Sequence, residues 1–150
     1  MIKDISDLGY HIERIETEIM IKAGEIMKGA ANSGVRSLIY HSPVLTGAYV
    51  NSHTVGINAP VAGKIDISSF KGKTGMHGAK MAALSKLLKT VNMIDKNTKA
   101  VYLNNDIYYA HKVEYGWPKS PPKAVYQKAQ QAIARYLVRK QQEFNSMLLG

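Results

Sequence analysis

The first thirty residues set the strongest constraint on this chain. Ile5, Leu8, Ile12, Ile15, Ile19, Ala23, Ile26 and Ala30 recur at spacings of three and four, the period of an α-helix with one apolar stripe. Glu13, Arg14, Glu16, Thr17 and Glu18 fill the intervening positions and suit solvent. Asp4 and Ser6 are candidate caps for its start. Gly24, Gly29 and Gly34 each cost such a helix ~1 kcal/mol relative to alanine. They mark either a bend or a place where another backbone comes close. The helix is expected to end before Pro43, because the residue before a proline avoids helical angles. Any fold for this chain must therefore find a surface for one long amphipathic helix.

The rest of the chain reads as short elements. Ser42-Pro43-Val44-Leu45-Thr46-Gly47 is a turn-forming run, and residues 48–57 read as a strand of mixed polarity. Asn58-Ala59-Pro60 breaks it. Residues 61–69 alternate, with Val61, Ile65 and Ile67 against Lys64, Asp66 and Ser68. That pattern predicts a half-buried strand and hairpin partner for the first. Residues 71–78 hold three glycines and read as a mobile loop; residues 79–91 read as a helix with Met81, Leu84, Leu87, Leu88 and Val91 inward. A short strand is expected at about 99–104, and a short helix or irregular turn over 106–115, stopped by Gly116. Ser120-Pro121 reads as a helix start, serine as cap and proline in the first helical position. The last helix then runs towards Asn145, with Val125, Ala129, Ile133, Tyr136 and Leu137 on its apolar face. The whole predicts one α+β domain: a small, mostly antiparallel sheet packed against long N-terminal and C-terminal helices.

Composition narrows the chemistry. With 150 residues, 45% of them hydrophobic, one domain can bury a core. There is no cysteine, which excludes disulfides, thiolate metal sites and cysteine nucleophiles. No apolar run approaches the ~20 residues of a membrane helix, and no signal architecture opens the chain, so an intracellular or virion setting is expected. The net charge is +9 and unevenly placed. Residues 1–40 carry five basic and six acidic groups; residues 71–99 carry seven lysines against Asp95; residues 117–140 carry six basic groups and no acid. That balance favours contact with polyanions.

No motif specifies catalysis. Gly72-Lys73-Thr74 has the end of a phosphate loop, but Ile67 stands where its first glycine belongs. His11, His41, His53, His77 and His111 have no zinc-site spacing. Ser42, Ser52 and His53 lack a nucleophile-elbow context. Asp106 and Glu114 alone do not specify acid–base work, and Glu114 reads as an ion-pair or capping group. Lysines of the glycine-rich loop suit phosphate contacts that ignore sequence. Six of the nine tyrosines lie between residues 102 and 136 and suit either stacking on bases or packing at interfaces. No catalytic, cofactor-binding or metal-binding residue is assigned.

Two stretches together resemble the tail-completion or neck proteins of long-tailed bacteriophages, which join head connector to tail tube. One is Ser42-Pro43-Val44-Leu45-Thr46-Gly47-Ala48-Tyr49-Val50-Asn51-Ser52, similar to the family's serine-proline, threonine-glycine, serine pattern. The other is Asn104-Asn105, Tyr108-Tyr109-Ala110 and Val113-Glu114-Tyr115-Gly116, similar to its asparagine, tyrosine-alanine and glutamate-tyrosine-glycine signature. Leu45 and Val50 depart from it where aspartate and arginine are common. The resemblance implies a structural, non-enzymatic virion protein that forms a ring, a hexamer first and a dodecamer second. It implies connector, tube or terminator proteins as partners and no membrane. Pro43, Thr46, Gly47, Ser52, Asn104, Tyr109, Ala110, Glu114, Tyr115 and Gly116 are the implied motif and interface residues. Lys71, Lys73, Lys80 and Lys86 are the candidate contacts to DNA in the lumen or to an acidic partner. The alternatives are a minor tail or tail-terminator protein, and a small basic non-specific DNA-binding protein.

Overall fold

The computed structural model describes residues 5–63, 65–70, 72 and 75–149. Lys64, Lys71 and Lys73, with most of the expected phosphate-loop remnant, lie outside the described residues, as does the candidate cap Asp4. Helix α1 spans Ile5–His41 and α2 spans Ala48–Asn51; strand β1 is His53–Ile57. Helix α3 is Met76–Val91, strand β2 Val101–Asn105, α4 Ala110–Tyr115 and α5 Val125–Leu149. The fold is α+β, with a small antiparallel sheet against long N- and C-terminal helices.

Helix α1 is the spine. Ala31, Val35, Leu38 and Ile39 lie at helical spacing and are buried. Ala31, Val35 and Ile39 join Val50, Val55, Ala83, Leu87, Val91 and Ile94 in one cluster between α1, β1 and α3. Leu38 joins Tyr49, Ile107, Val113, Val125 and Ala129 in a second, between α1, α4 and α5. Leu103 packs against both. Helix α5 runs antiparallel to α1, with Ile133 over Gly34 and Tyr136 over Gly29. A Cβ at Gly24 would sit 2.7 Å from the Asp95 carbonyl oxygen. These glycines are thus places of close approach, and α1 runs through them as one helix.

Several expectations fail. The stripe on the first turns of α1 is not buried: Leu8, Ile12, Ile15, Ile19 and Ile26 are exposed. The core begins only near Gly24, and the earlier turns are left exposed. Second, residues 48–51 are helical and not strand, and residues 61–69 do not pair with β1. Its partner is β2, with Val55 opposite Leu103 and Thr54 opposite Asn104. Asn58 decides this. At φ 64° it turns the chain, and its side-chain oxygen accepts from the Lys99 and Ala100 amides at 2.7 and 3.2 Å. That clasp brings β2 to β1 and sends 59–69 elsewhere, with a 3-10 turn at Ile67–Ser69. Val61 and Ile67 are exposed, so their alternation reflects no buried face.

Third, α5 starts at Val125 and not at Pro121. Trp117 and Ser120 exchange backbone hydrogen bonds in a tight turn, which removes Ser120 as a cap. The Lys123 and Ala124 amides bond the carbonyls of Val113 and Glu114, and Ala124 takes φ 49° before the helix opens. Helix α3 begins three residues earlier than expected, and Met81 is exposed while Ala83, Leu87 and Val91 are buried. Leu137 of α5 is exposed, whereas Val125 and Ala129 are buried.

Candidate functional site

Two distant segments meet at one apolar cleft of about 460 Å³. Pro43, Leu45, Thr46, Gly47 and Tyr49 form one wall. Tyr109, Val113 and Trp117 form another, and Ile67 with Phe70 closes the third side. The Ser42–Ser52 run supplies one wall and the Asn104–Gly116 run supplies Tyr109 and Val113 of the next, with Trp117, Ile67 and Phe70 completing the lining.

Local chemistry explains each wall. Gly47 has φ 86°, a left-handed geometry that costs glycine nothing. Its carbonyl accepts from the Asn51 amide at 3.1 Å, and the Thr46 hydroxyl accepts from the Ala48 amide at 3.3 Å. The turn thus opens directly into α2, which buries Ala48, Tyr49 and Val50. Ser52 ends that helix, buried, with Oγ donating to the Ala48 carbonyl at 2.6 Å. On the other wall, Tyr109 stacks on Tyr49 with centroids 6.4 Å apart. Ala110 packs on the second core cluster.

Glu114 is a cap. Its carboxylate accepts from the Tyr126 and Gln127 amides at 2.9 and 3.0 Å, which satisfies two orphan donors of α5 and places a negative charge at its positive end. Gly116, at φ 80°, has no room for a Cβ, which would lie 2.8 Å from the Pro122 nitrogen. Asn104 sits on β2, donating from Nδ2 to Asp106 at 2.7 Å.

Of the expected interface residues, Pro43, Thr46, Gly47 and Tyr109 line the cleft. Ser52, Asn104, Ala110, Glu114, Tyr115 and Gly116 are not among its lining residues. Tyr115 is 79% exposed and Trp117 is 45% exposed, whereas Tyr109 is half-buried against Tyr49 of α2. The lysines divide differently. Lys80 donates to the Tyr40 carbonyl at 2.6 Å, at the end of α1. Lys86 donates to the Asn51 carbonyl at 3.2 Å, at the end of α2. Both cations answer the negative ends of helices.

A polar cluster lies behind the cleft that the spacing does not show. The Ser42 hydroxyl donates to the Leu38 carbonyl at 2.6 Å. With its proton spent there, it accepts from His53 Nε2 at 2.7 Å. His53 Nδ1 is then the acceptor for the Tyr126 hydroxyl at 2.9 Å. Asn105 Nδ2 approaches the same nitrogen at 3.3 Å and donates to the Tyr49 carbonyl at 3.0 Å. This serine–histidine bond runs from imidazole to hydroxyl, opposite to the direction that activates a nucleophile. Burial, aided by Lys86, lowers the His53 pKa to about 3. Burial also raises the phenols of Tyr49, Tyr126 and Tyr109. Among the described residues the Tyr49 hydroxyl is the buried side-chain polar atom with no hydrogen-bond partner. The cluster pins the end of α1 to β1, β2 and α5. Among the described residues no group of three metal-ligating side chains converges, and no helix is long and apolar enough to cross a membrane.

Comparison with protein-family models, with curated proteins and with solved structures finds no match.

Proposed function

We propose that this protein is a structural component of a long-tailed bacteriophage, a neck or tail-completion protein that joins head connector to tail tube as a ring around the DNA path. The observation that carries the reading is the convergence of the two motif runs on one cleft. Residues 42–52 and 104–116 are far apart in sequence, yet each supplies a wall. A wall of Leu45, Tyr109 and Trp117 with few polar groups suits a protein partner. The apolar stripe left uncovered on α1 points the same way, since exposed apolar patches mark interaction surfaces. A ring with head-to-tail contacts uses two different surfaces per subunit and closes without a sticky edge. A minor tail or tail-terminator role uses the same features.

Electron microscopy of particles from a phage with a nonsense mutation in this gene tests the proposal. DNA-filled heads beside finished, unattached tails are the expected result. Heads without tails, or tails of uncontrolled length, move the protein into the tail. Intact infectious virions overturn the structural role.

A further inference from the structure

We infer that the exposed stripe on the first turns of α1 docks into the apolar cleft of a second copy of this chain. Two unpartnered surfaces on one molecule motivate this. The first is the arm of α1 before Gly24, ~27 Å long at 1.5 Å per residue over about eighteen residues. Between residues 6 and 23 every described side chain but Asp7 and His11 is exposed, Ile12, Ile15 and Ile19 among them. The second surface is the cleft, whose lip exposes Leu45 and Trp117.

Charge favours this pairing over arm against arm and over the end of α5 in the cleft. The arm carries Asp7, Glu13, Glu16 and Glu18 against Arg14 and Lys22; Arg14 is held by Glu18 at 3.8 Å and Lys22 by Glu25 at 3.2 Å. Among the described residues no salt bridge engages Glu13 or Glu16. Exposed Lys112 and Lys119 stand within two residues of the lining residues Val113 and Trp117, and the amide of exposed Lys123 bonds the Val113 carbonyl, while carboxylates close in sequence to the lining are occupied: Glu114 by amides of α5, Asp106 by Asn104 and Asp66 by the Ser68 amide. Arm against arm brings like charges together, which costs affinity. The end of α5 also exposes Phe144, Met147 and Leu148. There, however, Arg139 and Lys140 outnumber Glu143, the same sign as the cleft rim. Arm into cleft is a contact between two different patches, so it propagates from copy to copy and either closes as a ring or continues as a fibre. It deepens the ring reading above and rests on it only for closure.

Mixing two variants tests this by native mass spectrometry. The arm variant is Ile15→Asp with Ile19→Asp; the cleft variant is Leu45→Asp. All three side chains are exposed, and circular dichroism checks that both variants fold. The wild type is expected to form multimers. Each variant alone should be monomeric. Their mixture should give a one-to-one pair and nothing larger, because only one arm and one cleft remain intact between them. A cleft variant that assembles while the arm variant does not points to arm–arm pairing and overturns the inference. So does assembly of both variants alone, or a wild type that stays monomeric across the concentration range. Glu13→Lys with Glu16→Lys should weaken association about tenfold at low salt, as loss of complementary charge requires; unchanged association counts against the pairing. If the contact fails here while mutant phage still show full heads beside loose tails, the neck reading survives and only the arm contact falls. Assembly by this contact in a protein dispensable for the virion is the reverse case.

Discussion

His53 is 1% exposed and holds its neutral form because burial penalises the charged ring, while Lys86 adds an unfavourable field. Its folded pKa of about 3 lies below the unfolded value near 6.5. Between those values the unfolded chain binds a proton that the folded chain refuses, so stability rises with pH there. The full contribution is present above pH 6.5 and is lost as pH falls towards 3. At ~1.4 kcal/mol per unit, lowering pH from 6.5 to 5 should remove about 2 kcal/mol through this residue. Urea unfolding of the wild type and of His53→Asn at both pH values measures it. The variant is expected to start less stable and to lose the part of the slope that His53 supplies; equal slopes would show that His53 is not the titrating group. Tyr49 gives a second prediction at this scale. Its hydroxyl is buried without a partner, and an orphaned buried polar group costs ~1–3 kcal/mol. Tyr49→Phe keeps the stack on Tyr109 and should raise stability by about 1 kcal/mol. A loss of stability in thermal unfolding would mean that the hydroxyl does have a partner.

Among the elements, α1, α3, β2 and α4 were legible from period and punctuation, because each answers to its own residues. What was not legible was decided by residues far away. Helix α5 looked capped by Ser120, yet Ser120 bonds Trp117 and the cap is Glu114, eleven positions before the helix opens. Glu114→Ala should therefore cost about 1–2 kcal/mol, the scale of a lost cap, although it lies outside α5. Urea unfolding measures the loss, and Ser120→Ala should cost less. The sheet shows the same limit. The alternation at 61–69 met the period of a strand, but the Asn58 clasp on Lys99 and Ala100 gave β1 a different partner. The glycines of α1 were ambiguous for a related reason, since propensity ranks them all alike. Gly9 has nothing within 4 Å of a Cβ, whereas at Gly24 the Asp95 carbonyl is in the way. Gly9→Ala should add helicity at no cost to stability. Gly24→Ala should lower it by ~1–3 kcal/mol, the cost of overpacking against backbone. Circular dichroism with thermal melting separates the two signs. For the candidate cleft, the two motif runs were visible in sequence, but their meeting was not. The Ser42–His53–Tyr126 cluster behind it carried no spacing signal, because its members come from three separate elements.

On the scale of the molecule, charge is unevenly placed along the chain. The first forty residues hold six of the eleven acids and five of the twenty basic groups, and they include the uncovered stripe of α1. The remaining chain is strongly basic, but its lysines are not all available to an outside anion. Lys80 and Lys86 close the carbonyl ends of α1 and α2, and so are engaged within the chain. A dedicated DNA-binding protein concentrates cations on one face and releases counterions when it binds, so its affinity falls steeply with salt. A lumen-lining ring subunit needs only weak attraction from many copies, each contributing little. Under the proposed ring role, the isolated protein is expected to bind duplex DNA weakly at low salt and to lose it by physiological ionic strength. Lys80→Gln with Lys86→Gln should change that affinity less than it changes stability, because both side chains hold helix ends. Filter binding at two salt concentrations, beside urea unfolding of the same variant, measures both. Tight binding that persists at physiological salt, and that the double substitution abolishes without destabilising the fold, would move these lysines from the scaffold to a DNA surface and make nucleic acid the principal partner.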